Sequence, residues 1–265
     1  MIQRSLIFIV LLACVSFSFP KKKKFVPPGT VQITENLFAD ETEVSNLSWL
    51  EFEYWTKAKY GPNSKEHIAT LPDTLVWRNS ESFNEPYVIY YYRHPAYKEF
   101  PVVGISYDQA LAFCKWRSDR VKEFYALAHK KELFLNYTLP TKEEWEFISM
   151  GGSYAFTNNG RDAKDRATLN CRRAKNDTLL IDKRANNGSS ADVTTPVYSY
   201  YKNPFGLFNS FGNVAEMVLE KGICKGGGWI HPIQECRAGI DIPYSQPKSW
   251  LGFRCVCKLL KPTKG

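Results

Sequence analysis

The longest regular element that the sequence predicts is a helix that begins after Ser106. Ser106 and Gln109 have the spacing of a capping box, in which each side chain accepts a hydrogen bond from the other residue's backbone amide. Apolar residues then recur at steps of three and four along one face: Ala110, Phe113, Cys114, Val121, Phe124, Tyr125 and Ala128. This face should point inward, so Cys114 is predicted to be either a buried thiol or one half of a bridge to a core strand.

A shorter helix is predicted upstream. Its N-cap is Ser45 or Ser48, and Ser48 and Glu51 have the spacing of a capping box. Three aromatic residues follow at helical spacing: Trp49, Phe52 and Trp55. Gly61, which a proline follows, ends the pattern. We expect these three rings to pack in the core.

A third helix signal comes at Thr141. Its hydroxyl can accept from the amide of Glu144, whose side chain can reach back, and Gly151 ends the helix. Residues 153–203 are polar and loop-like, and short glycine-punctuated segments follow them. With 15 prolines, 16 glycines and 15% aromatic residues, this composition predicts a loop-rich body organised around large rings.

Two further segments could suggest ligand sites. Tyr87–Tyr92 alternates tyrosine with apolar residues, which favours a half-buried strand, the alternative being a ligand-stacking surface. Gly226–Gly228 could be taken for a phosphate loop, but such a loop needs a helix directly after it, and here Trp229 and then Pro232 follow. We interpret the three glycines as a close approach of backbone to backbone beneath Trp229.

The net charge of +8 lies at the two ends of the chain. Residues 1–24 carry five basic residues and no acid, and residues 258–264 carry three lysines. Residues 25–257 are therefore neutral. Nucleic-acid binding depends on basic side chains along the binding surface, so this distribution argues against a nucleic-acid partner.

The N-terminus carries the features of an export signal. Arg4 precedes the uninterrupted apolar run Leu6–Ala13, and the basic run Lys21–Lys24 follows it. Cleavage before Phe19 would remove residues 1–18 as a signal peptide. Alternatively, the residues up to Cys14 resemble a bacterial lipobox, which would remove residues 1–13 and leave Cys14 as a lipidated first residue. Either route predicts a protein of the periplasm or outer membrane.

The rest of the chain then divides simply. Residues 19–24 form a basic linker, residues 25–258 one domain and residues 259–265 a basic tail. No stretch after residue 20 has the roughly 18 consecutive apolar residues of a membrane span. Any contact with the membrane is therefore expected only through a lipid on Cys14.

The other six cysteines predict disulfides. An even number of cysteines in an oxidising compartment favours bridges, and no Cys-x-x-Cys pair suggests a metal site. Cys255 and Cys257 are two residues apart, which in a strand puts both on one face. That spacing suits two separate bridges better than one chelate.

Six segments of the chain follow one another in the same order as the motifs of one protein family. They are Phe38–Ser45, Pro101–Tyr107 with Ala110 and Cys114, Leu139–Glu146, Asn209–Glu216, Lys225–Trp229 and Gly252–Cys255. Over about residues 25–258, the sequence resembles the formylglycine-generating enzyme, or sulfatase-modifying-factor, family. Residues 72–97 are most similar to the envelope lipoproteins of gliding motility and type IX secretion, which carry this fold without known oxidase chemistry.

The resemblance implies a fold and two sites. The fold is a single α+β domain with little regular secondary structure, related to C-type-lectin-like folds. Cys114 and Cys255 match the family's disulfide pair. Four residues match a calcium site made of an amide oxygen, two backbone carbonyls and a carboxylate: Asn209, Gly212, Val214 and Glu216. The alternative is that the Asn and Glu side chains only cap turns.

One departure from the family concerns catalysis. Active members bind copper through two cysteines in the loop after the Gly-Gly-Ser-Tyr/Trp strand, and soft Cu(I) needs both sulfurs. Here the loop Ile230–Cys236 holds one cysteine, and Cys236 matches a structural cysteine by its distance from Cys255. We therefore expect no copper and no catalytic residue, with His231 and Cys236 as the weak candidates.

The sequence thus predicts an exported, calcium-binding structural or interaction module of the bacterial cell envelope with a protein partner. One alternative is a divergent formylglycine-type oxidoreductase that acts on a protein cysteine through His231 and Cys236. The other is a glycan- or peptide-binding module that uses the rings of Tyr87–Tyr92. Among the remaining cysteines we expect Cys224–Cys236, because they flank the glycine hairpin, and hence Cys171–Cys257.

Overall fold

A computed structural model describes residues 25–78, 84–151, 164, 166–172 and 193–261. The predicted signal segment, the basic linker and Cys14 lie outside these residues. The described part combines helices with two small sheets, which confirms the expected α+β class.

Eight short strands form two sheets of four. The strands are β1 (Thr30–Gln32), β2 (Leu37–Asp40), β3 (Leu135–Thr138), β4 (Ala215–Met217), β5 (Ile223–Lys225), β6 (Ile242–Pro243), β7 (Leu251–Gly252) and β8 (Val256–Leu259). The first sheet is antiparallel with the order β1-β2-β8-β3. The second has the order β6-β5-β4-β7, in which only the pair β4–β7 is parallel.

The described residues also contain five α-helices and two 3₁₀ turns. The helices are α1 (Asn46–Tyr60), α2 (Lys65–Ile68), α3 (Glu85–Tyr90), α4 (Tyr107–His129) and α5 (Lys142–Met150), and the 3₁₀ turns are Thr74–Trp77 and Pro95–Tyr97. Within this described part, no helix combines the length and apolar character that crossing a bilayer requires.

Local capping fixes the helix starts. The capping boxes predicted for α4 and α5 are both present. For α1 the N-cap is Ser45, whose hydroxyl accepts from the amide of Ser48 at 3.2 Å. Ser48 therefore lies inside the helix, and the alternative box that starts there is not used.

The core forms where α1 meets α4. Trp49 and Phe113 stack with ring centroids 5.5 Å apart, and the ring of Phe253 packs edge-on to both. α4 is also tied to the first sheet, because the Ser118 hydroxyl accepts from the backbone amide of Tyr137 at 2.8 Å. Cys114 is 1% exposed, so its predicted inward position is confirmed.

The same helix departs from its predicted pattern near its C-terminal end. Phe124 was predicted to face the core, but it is 72% exposed. Phe113 lies three turns earlier on the same side of the helix and is covered by Trp49 of α1. Among the described elements, none covers Phe124 in this way, and periodicity alone could not show where the covering layer ends.

Residues 251–259 join the two sheets. β7 belongs to the second sheet and β8 to the first, so the three residues between them cross from one sheet to the other. Phe253, Arg254 and Cys255 are all at most 1% exposed. The crossing segment therefore runs through the centre of the molecule.

The strand predicted for Tyr87–Tyr92 is wrong, because its first residues are in α3. Pro86 lies in the first turn of that helix, where a missing amide hydrogen costs nothing. Tyr87 and Tyr91, four residues apart, both contact Trp77. Tyr91 is buried, and its hydroxyl donates to the carbonyl of Pro101 at 2.7 Å. Most of this tyrosine run therefore does not offer a ligand-stacking surface.

Candidate functional site

The segment Asn209–Glu216, predicted to bind calcium, is a buried turn that leads into β4. Asn209, Gly212 and Asn213 have positive φ angles of 46°, 75° and 63°. Gly212 is required there, because a Cβ atom would lie 2.5 Å from the carbonyl oxygen of Asn170. The amide of Asn213 donates to that same oxygen at 2.7 Å. The turn is thus held against Asn170.

Glu216 ends this turn inside the protein and is 1% exposed. Its Oε1 accepts from Nε and Nη2 of Arg254 at 2.9 and 2.6 Å. Its Oε2 accepts from Arg254 Nε and from Trp145 Nε1, both at 2.7 Å. Each carboxylate oxygen therefore takes two donors, which occupies the acceptor capacity of the group.

A second carboxyl group, on Glu43, lies in the same cluster. Its Oε1 accepts from Asn213 Nδ2 at 2.8 Å and its Oε2 from Asn209 Nδ2 at 3.2 Å. Burial raises the pKa of Glu43 to about 8, against the opposing effect of the nearby Arg254 charge. Burial therefore favours the protonated form of Glu43, and the ion pair of Arg254 is made with Glu216.

In this arrangement the carboxylate of the predicted calcium site is not free to bind the ion. Calcium takes six to eight oxygen ligands, and Glu216 is the only carboxylate among the four. Its oxygens are occupied by Arg254 and Trp145, and the guanidinium puts a positive charge beside them. Asn209 Oδ1 is buried without a hydrogen-bond partner, but one amide oxygen does not replace the carboxylate.

At this position the structure has a buried ion pair between Glu216 and Arg254, which competes with the calcium site expected from the sequence. Across the described residues, no group of three or more His, Cys, Asp or Glu side chains is arranged to hold a metal ion.

The glycine hairpin after β5 packs as the sequence predicted. A Cβ at Gly227 would lie 2.6 Å from the sulfur of Cys236. A Cβ at Gly228 would lie 2.9 Å from the carbonyl oxygen of Trp250 and 3.0 Å from the amide nitrogen of Ala215. Backbone thus passes close to backbone here, and the interpretation as a structural contact is confirmed.

His231, one of the two weak catalytic candidates, is locked in this hairpin and only 7% exposed. Its Nδ1 accepts from the amide of Gly228 at 2.9 Å, and its ring lies edge-on to Trp250. Burial lowers the pKa of His231, which keeps the imidazole neutral. The Nδ1 lone pair is therefore used structurally.

Cys236, the other candidate, is 2% exposed. A hydrogen bond with Cys171 and burial raise the pKa of the Cys236 thiol, so it stays protonated and weakly nucleophilic. This contact differs from the expected pairing of Cys236 with Cys224, which stays a prediction. The sequence could not show it, because Cys171 comes from a segment far away in the chain.

The remaining cysteines lie apart from this contact. Cys224 is in β5 of the second sheet, and its thiol donates to the carbonyl of Ile242 at 3.3 Å. Cys257 is in β8 of the first sheet, opposite Phe38 and Tyr137, so the expected pair Cys171–Cys257 is not what the structure brings together.

The structure does bring together Cys114 of α4 and Cys255 of the crossing segment. Their sulfur atoms are 3.5 Å apart, and both side chains are buried. A disulfide bond between them stays a prediction that this proximity supports.

An aromatic groove opens beside the glycine hairpin. The rings of Trp77 and Trp229 stack with centroids 6.1 Å apart, and Trp229 Nε1 donates to the carbonyl of Ser249 at 3.1 Å. The groove has a volume of about 500 Å³, and Asp73 and Lys248 add charge to its lining. Trp77 is 2% exposed, so in this lining the half-buried rings of Trp229 and Trp250 are the ones open to a ligand.

Sequence reasoning missed Glu43 and Arg254, the two charged residues that complete the polar cluster. Arg254 had a usable signal, because it interrupts the otherwise apolar stretch Leu251–Val256 at a position with no solvent-facing neighbour. A charge inside such a stretch indicates a buried partner. Glu43 had a weaker signal, since the sequence around it is polar.

The domain contains two small sheets, the segment Phe253–Cys255 that crosses between them and the buried turn Asn209–Glu216. It is a domain of the sulfatase-modifying-factor type. Residues 8–259 match the family described as the FGE-sulfatase, or Sulfatase-modifying factor enzyme 1-like, domain. The chain belongs to this family, and the motif resemblance is confirmed.

Two curated relatives and one solved structure show the range of similarity. The chain is 28% identical over 189 residues to the Inactive C-alpha-formylglycine-generating enzyme 2 of Bos taurus, covering 62% of this chain and 52% of the relative. It is 32% identical over 122 residues to the Serine/threonine-protein kinase pkn1 of Chlamydia caviae, covering 46% of this chain and 14% of the relative. The chain thus spans about half, or less, of the length of these relatives.

Treponema denticola variable protein 1 matches with 17% identity and a TM-score of 0.45, over 88% of this chain and 92% of that structure.

Proposed function

We propose that this protein is an exported, non-catalytic interaction module of the bacterial cell envelope. The observation that carries the proposal is the state of the loop after the glycine hairpin. Cys236 is a buried thiol in contact with Cys171, and the Nδ1 of His231 accepts from a backbone amide. Neither side chain is free for chemistry on a substrate.

The chemistry of the active family members explains why the burial of Cys236 in this loop matters. Cu(I) binds soft thiolate ligands, and the family resemblance implies two of them in this loop. This loop supplies one cysteine, and that thiol has a raised pKa and is 2% exposed. A peptide cysteine brought by a substrate would have to reach it through the packed hairpin. These features support a non-catalytic role.

The similarity to a formylglycine-generating enzyme 2 whose name marks it as inactive supports the same proposal. That similarity is partial, because it covers 52% of the relative. The proposal that this chain is inactive therefore rests on the residues of its own loop, Ile230–Cys236.

The envelope location is supported by the N-terminal sequence. The apolar run Leu6–Ala13 with basic residues on both sides has the pattern of an export signal, and Cys14 is placed for lipidation. The resemblance of residues 72–97 to gliding-motility lipoproteins favours the same compartment.

Within that role we propose that a partner protein binds in the groove beside Trp229 and Trp250. Rings with a charged rim suit a polypeptide segment that has apolar side chains and polar backbone. Lys248→Glu, in the groove lining, should weaken co-purification of the partner from the envelope fraction. Lys98→Glu is the matched control, because Lys98 is exposed and outside this lining. Equal co-purification by both variants would contradict this placement.

Copper titration of the reduced full-length chain tests the non-catalytic role. A Cu(I) chelator competes for the metal, and oxygen consumption is followed with a cysteine-containing peptide as substrate. We expect neither tight binding of one Cu(I) per chain nor peptide-dependent oxygen consumption. Observation of both would overturn the proposal.

The divergent oxidoreductase is kept as a second candidate because the structure brings two thiols together, on Cys171 and Cys236. If that pair held copper, Cys236→Ser would abolish the oxygen consumption. Cys257→Ser, which changes a buried cysteine of the first sheet, would retain it. This comparison separates specific chemistry from copper bound to any available thiol.

A further inference from the structure

A second cavity lies between α1 and α4. It has a volume of about 370 Å³, which suits a small molecule, and it shares no lining residue with the aromatic groove. Ser48 and Glu51 of α1 line it, three residues apart. The lining residues of α4 recur at steps of three and four and so occupy one face of that helix: Phe113, Trp116, Arg117, Arg120 and Val121. We call this the α1–α4 cavity.

Both arginines of the cavity are paired with carboxylates. Arg117 Nη1 donates to Asp40 Oδ2 at 2.7 Å, and Asp40 is itself a lining residue. Arg120 forms an ion pair with Glu123, which lies outside the lining. The Arg120 guanidinium also lies over the ring of Trp55, 4.2 Å from its centroid. The arginines therefore provide N–H donors without an excess of positive charge.

The carboxylate of Glu51 is an acceptor that a ligand can reach. Glu51 is exposed, and within the described part of the chain its side chain has no hydrogen bond or ion pair. Glu43, a further lining residue, differs because its two carboxyl oxygens accept from Asn209 and Asn213. Burial also raises the pKa of Glu43 to about 8, which favours its neutral form. Glu51 is therefore open to a ligand, whereas Glu43 is committed to the core.

Aromatic side chains add ring surface to the cavity. Trp116 is half-buried, and its ring packs against Phe113 with centroids 5.4 Å apart. Tyr198 is 56% exposed, and its ring lies edge-on to Phe208 with centroids 5.5 Å apart. The α1–α4 cavity thus combines paired charges, an open acceptor and ring surfaces.

We propose that the α1–α4 cavity binds a neutral saccharide. A sugar hydroxyl donates and accepts at one oxygen, so it can accept from a guanidinium and donate to a neighbouring carboxylate. The apolar faces of a sugar ring can lie against aromatic side chains, and small-molecule sites commonly combine rings with a few polar groups. The proposal adds a ligand site to the module. It is independent of the partner protein proposed for the aromatic groove, because the two linings share no residue.

The charges of the lining argue against an ionic ligand. Arg117 and Arg120 would repel an ammonium group. Asp40 and Glu51 would repel a phosphate or a carboxylate. Because burial favours the neutral form of Glu43, these two positive and two negative charges cancel. A neutral ligand meets no such repulsion and uses both kinds of group through charge-assisted hydrogen bonds.

Binding of simple sugars to the full chain tests the proposal. The probes are the methyl glycosides of glucose, galactose, mannose and N-acetylglucosamine. Saturation-transfer NMR detects their binding, and a titration gives the dissociation constant. Cadaverine and inorganic phosphate are titrated in parallel as cationic and anionic probes. We expect saturable binding of at least one glycoside, and weaker binding of both ions.

Two substitutions each remove one polar group from the cavity. Glu51→Ala should raise the dissociation constant by about tenfold, the usual loss for one hydrogen bond to a charged group. Arg120→Met should have a similar effect, because methionine keeps an apolar stem over Trp55 but has no donor. Glu66→Ala is the matched control, since Glu66 is exposed on α2 and outside the lining. Lys248→Glu, in the aromatic groove, should also leave the constant unchanged. Thermal unfolding shows that each variant is folded.

Four results would overturn the proposal. The first is the absence of saturable binding by every glycoside. The second is equal glycoside binding by Glu51→Ala and Glu66→Ala. The third is binding of cadaverine or phosphate that is tighter than that of any glycoside and that Glu51→Ala or Arg120→Met changes, which would make the cavity an ion site. The fourth is loss of glycoside binding in Lys248→Glu alone, which would place the sugar in the aromatic groove.

Discussion

Arg254 and Glu216 form an ion pair in which both side chains are 1% exposed, with Arg254 Nη2 2.6 Å from Glu216 Oε1. Arg254 lies in the segment that crosses between the sheets, and Glu216 lies in β4 of the second sheet. The guanidinium also donates to the carbonyl oxygens of Asp40 and Phe208, at 3.2 and 2.8 Å. One side chain therefore connects β2, β4 and the turn before β4.

Replacing Arg254 by methionine should destabilise the protein strongly. The change leaves the carboxylate of Glu216 buried without its counter-charge, which typically costs about 3–5 kcal/mol. Urea unfolding at neutral pH measures the loss. Arg78→Gln is the control, because the Arg78–Glu85 pair is exposed and its removal should leave the unfolding midpoint unchanged. Similar losses of stability in both variants would show that the burial of the Arg254–Glu216 pair does not determine its contribution to stability.

Glu43 predicts a pH dependence of stability. Its folded pKa of about 8 lies above the ordinary value of 4.5, so the folded state binds this proton more tightly than the unfolded state. Its contribution is complete below the ordinary value and is lost as the pH rises through about 8. The free energy of unfolding should therefore fall as the pH increases between these two values.

Glu43→Gln removes the titrating group and should flatten that part of the curve. Urea unfolding of both proteins at a series of pH values gives the comparison. The variant can differ in absolute stability, because Asn209 and Asn213 must adjust to an amide, so the slope is the quantity to compare. Parallel slopes in the two proteins would mean that Glu43 is already ionised in the fold.

Disulfide mapping should find Cys171 joined to Cys236 and Cys114 joined to Cys255 in protein recovered from an oxidising compartment. In each pair the two thiols would lose their protons and two electrons to a disulfide oxidant of that compartment. Both contacts exist in the fold, whereas Cys224 and Cys257 lie in different sheets.

Alkylation before digestion, followed by mass spectrometry, makes the test. Cys224 and Cys257 should be alkylated only after unfolding, since both are buried. Protein made under reducing conditions is the control and should yield six alkylated positions besides Cys14. A peptide that links Cys224 to Cys236 would restore the pairing that the sequence suggested.

Calcium should not stabilise this domain through the turn Asn209–Glu216. The carboxylate of Glu216 is occupied by Arg254 and Trp145, so an added ion would have to displace a buried guanidinium. We expect equal thermal midpoints in excess calcium and in excess chelator. Magnesium at the same ionic strength controls for general salt effects. A rise of several degrees that is specific to calcium and absent in Glu216→Gln would contradict this.

Local features were predictable from the sequence where neighbours in the chain decide them. The capping boxes at Ser106 and Thr141 depend on residues three apart, and both are present. The inward position of Cys114 follows from helical periodicity, and it is confirmed. The same reasoning placed Phe124 inward, which is wrong, because none of the described elements covers its ring.

The segment Tyr87–Tyr92 is a second case in which the local sequence did not determine the secondary structure. Alternation of Tyr with apolar residues favoured a strand, but Pro86 and the four-residue spacing of Tyr87 and Tyr91 are equally a helical pattern. What decides between them is Trp77, which packs against both rings. Trp77 is a contact that only the tertiary structure supplies.

By itself, the sequence determined the family, the α+β class, the starts of α4 and α5 and the separation of charge from the body of the chain. These depend on motifs and on interactions between residues a few positions apart. Only the tertiary structure decided that Arg254 neutralises Glu216, that Cys236 meets Cys171 and that Phe25 and Leu260 both lie beside α4. Each of these joins residues 38 or more positions apart, or depends on which surfaces the packing leaves uncovered. No local propensity specifies such contacts, because they form only when the whole core closes around them.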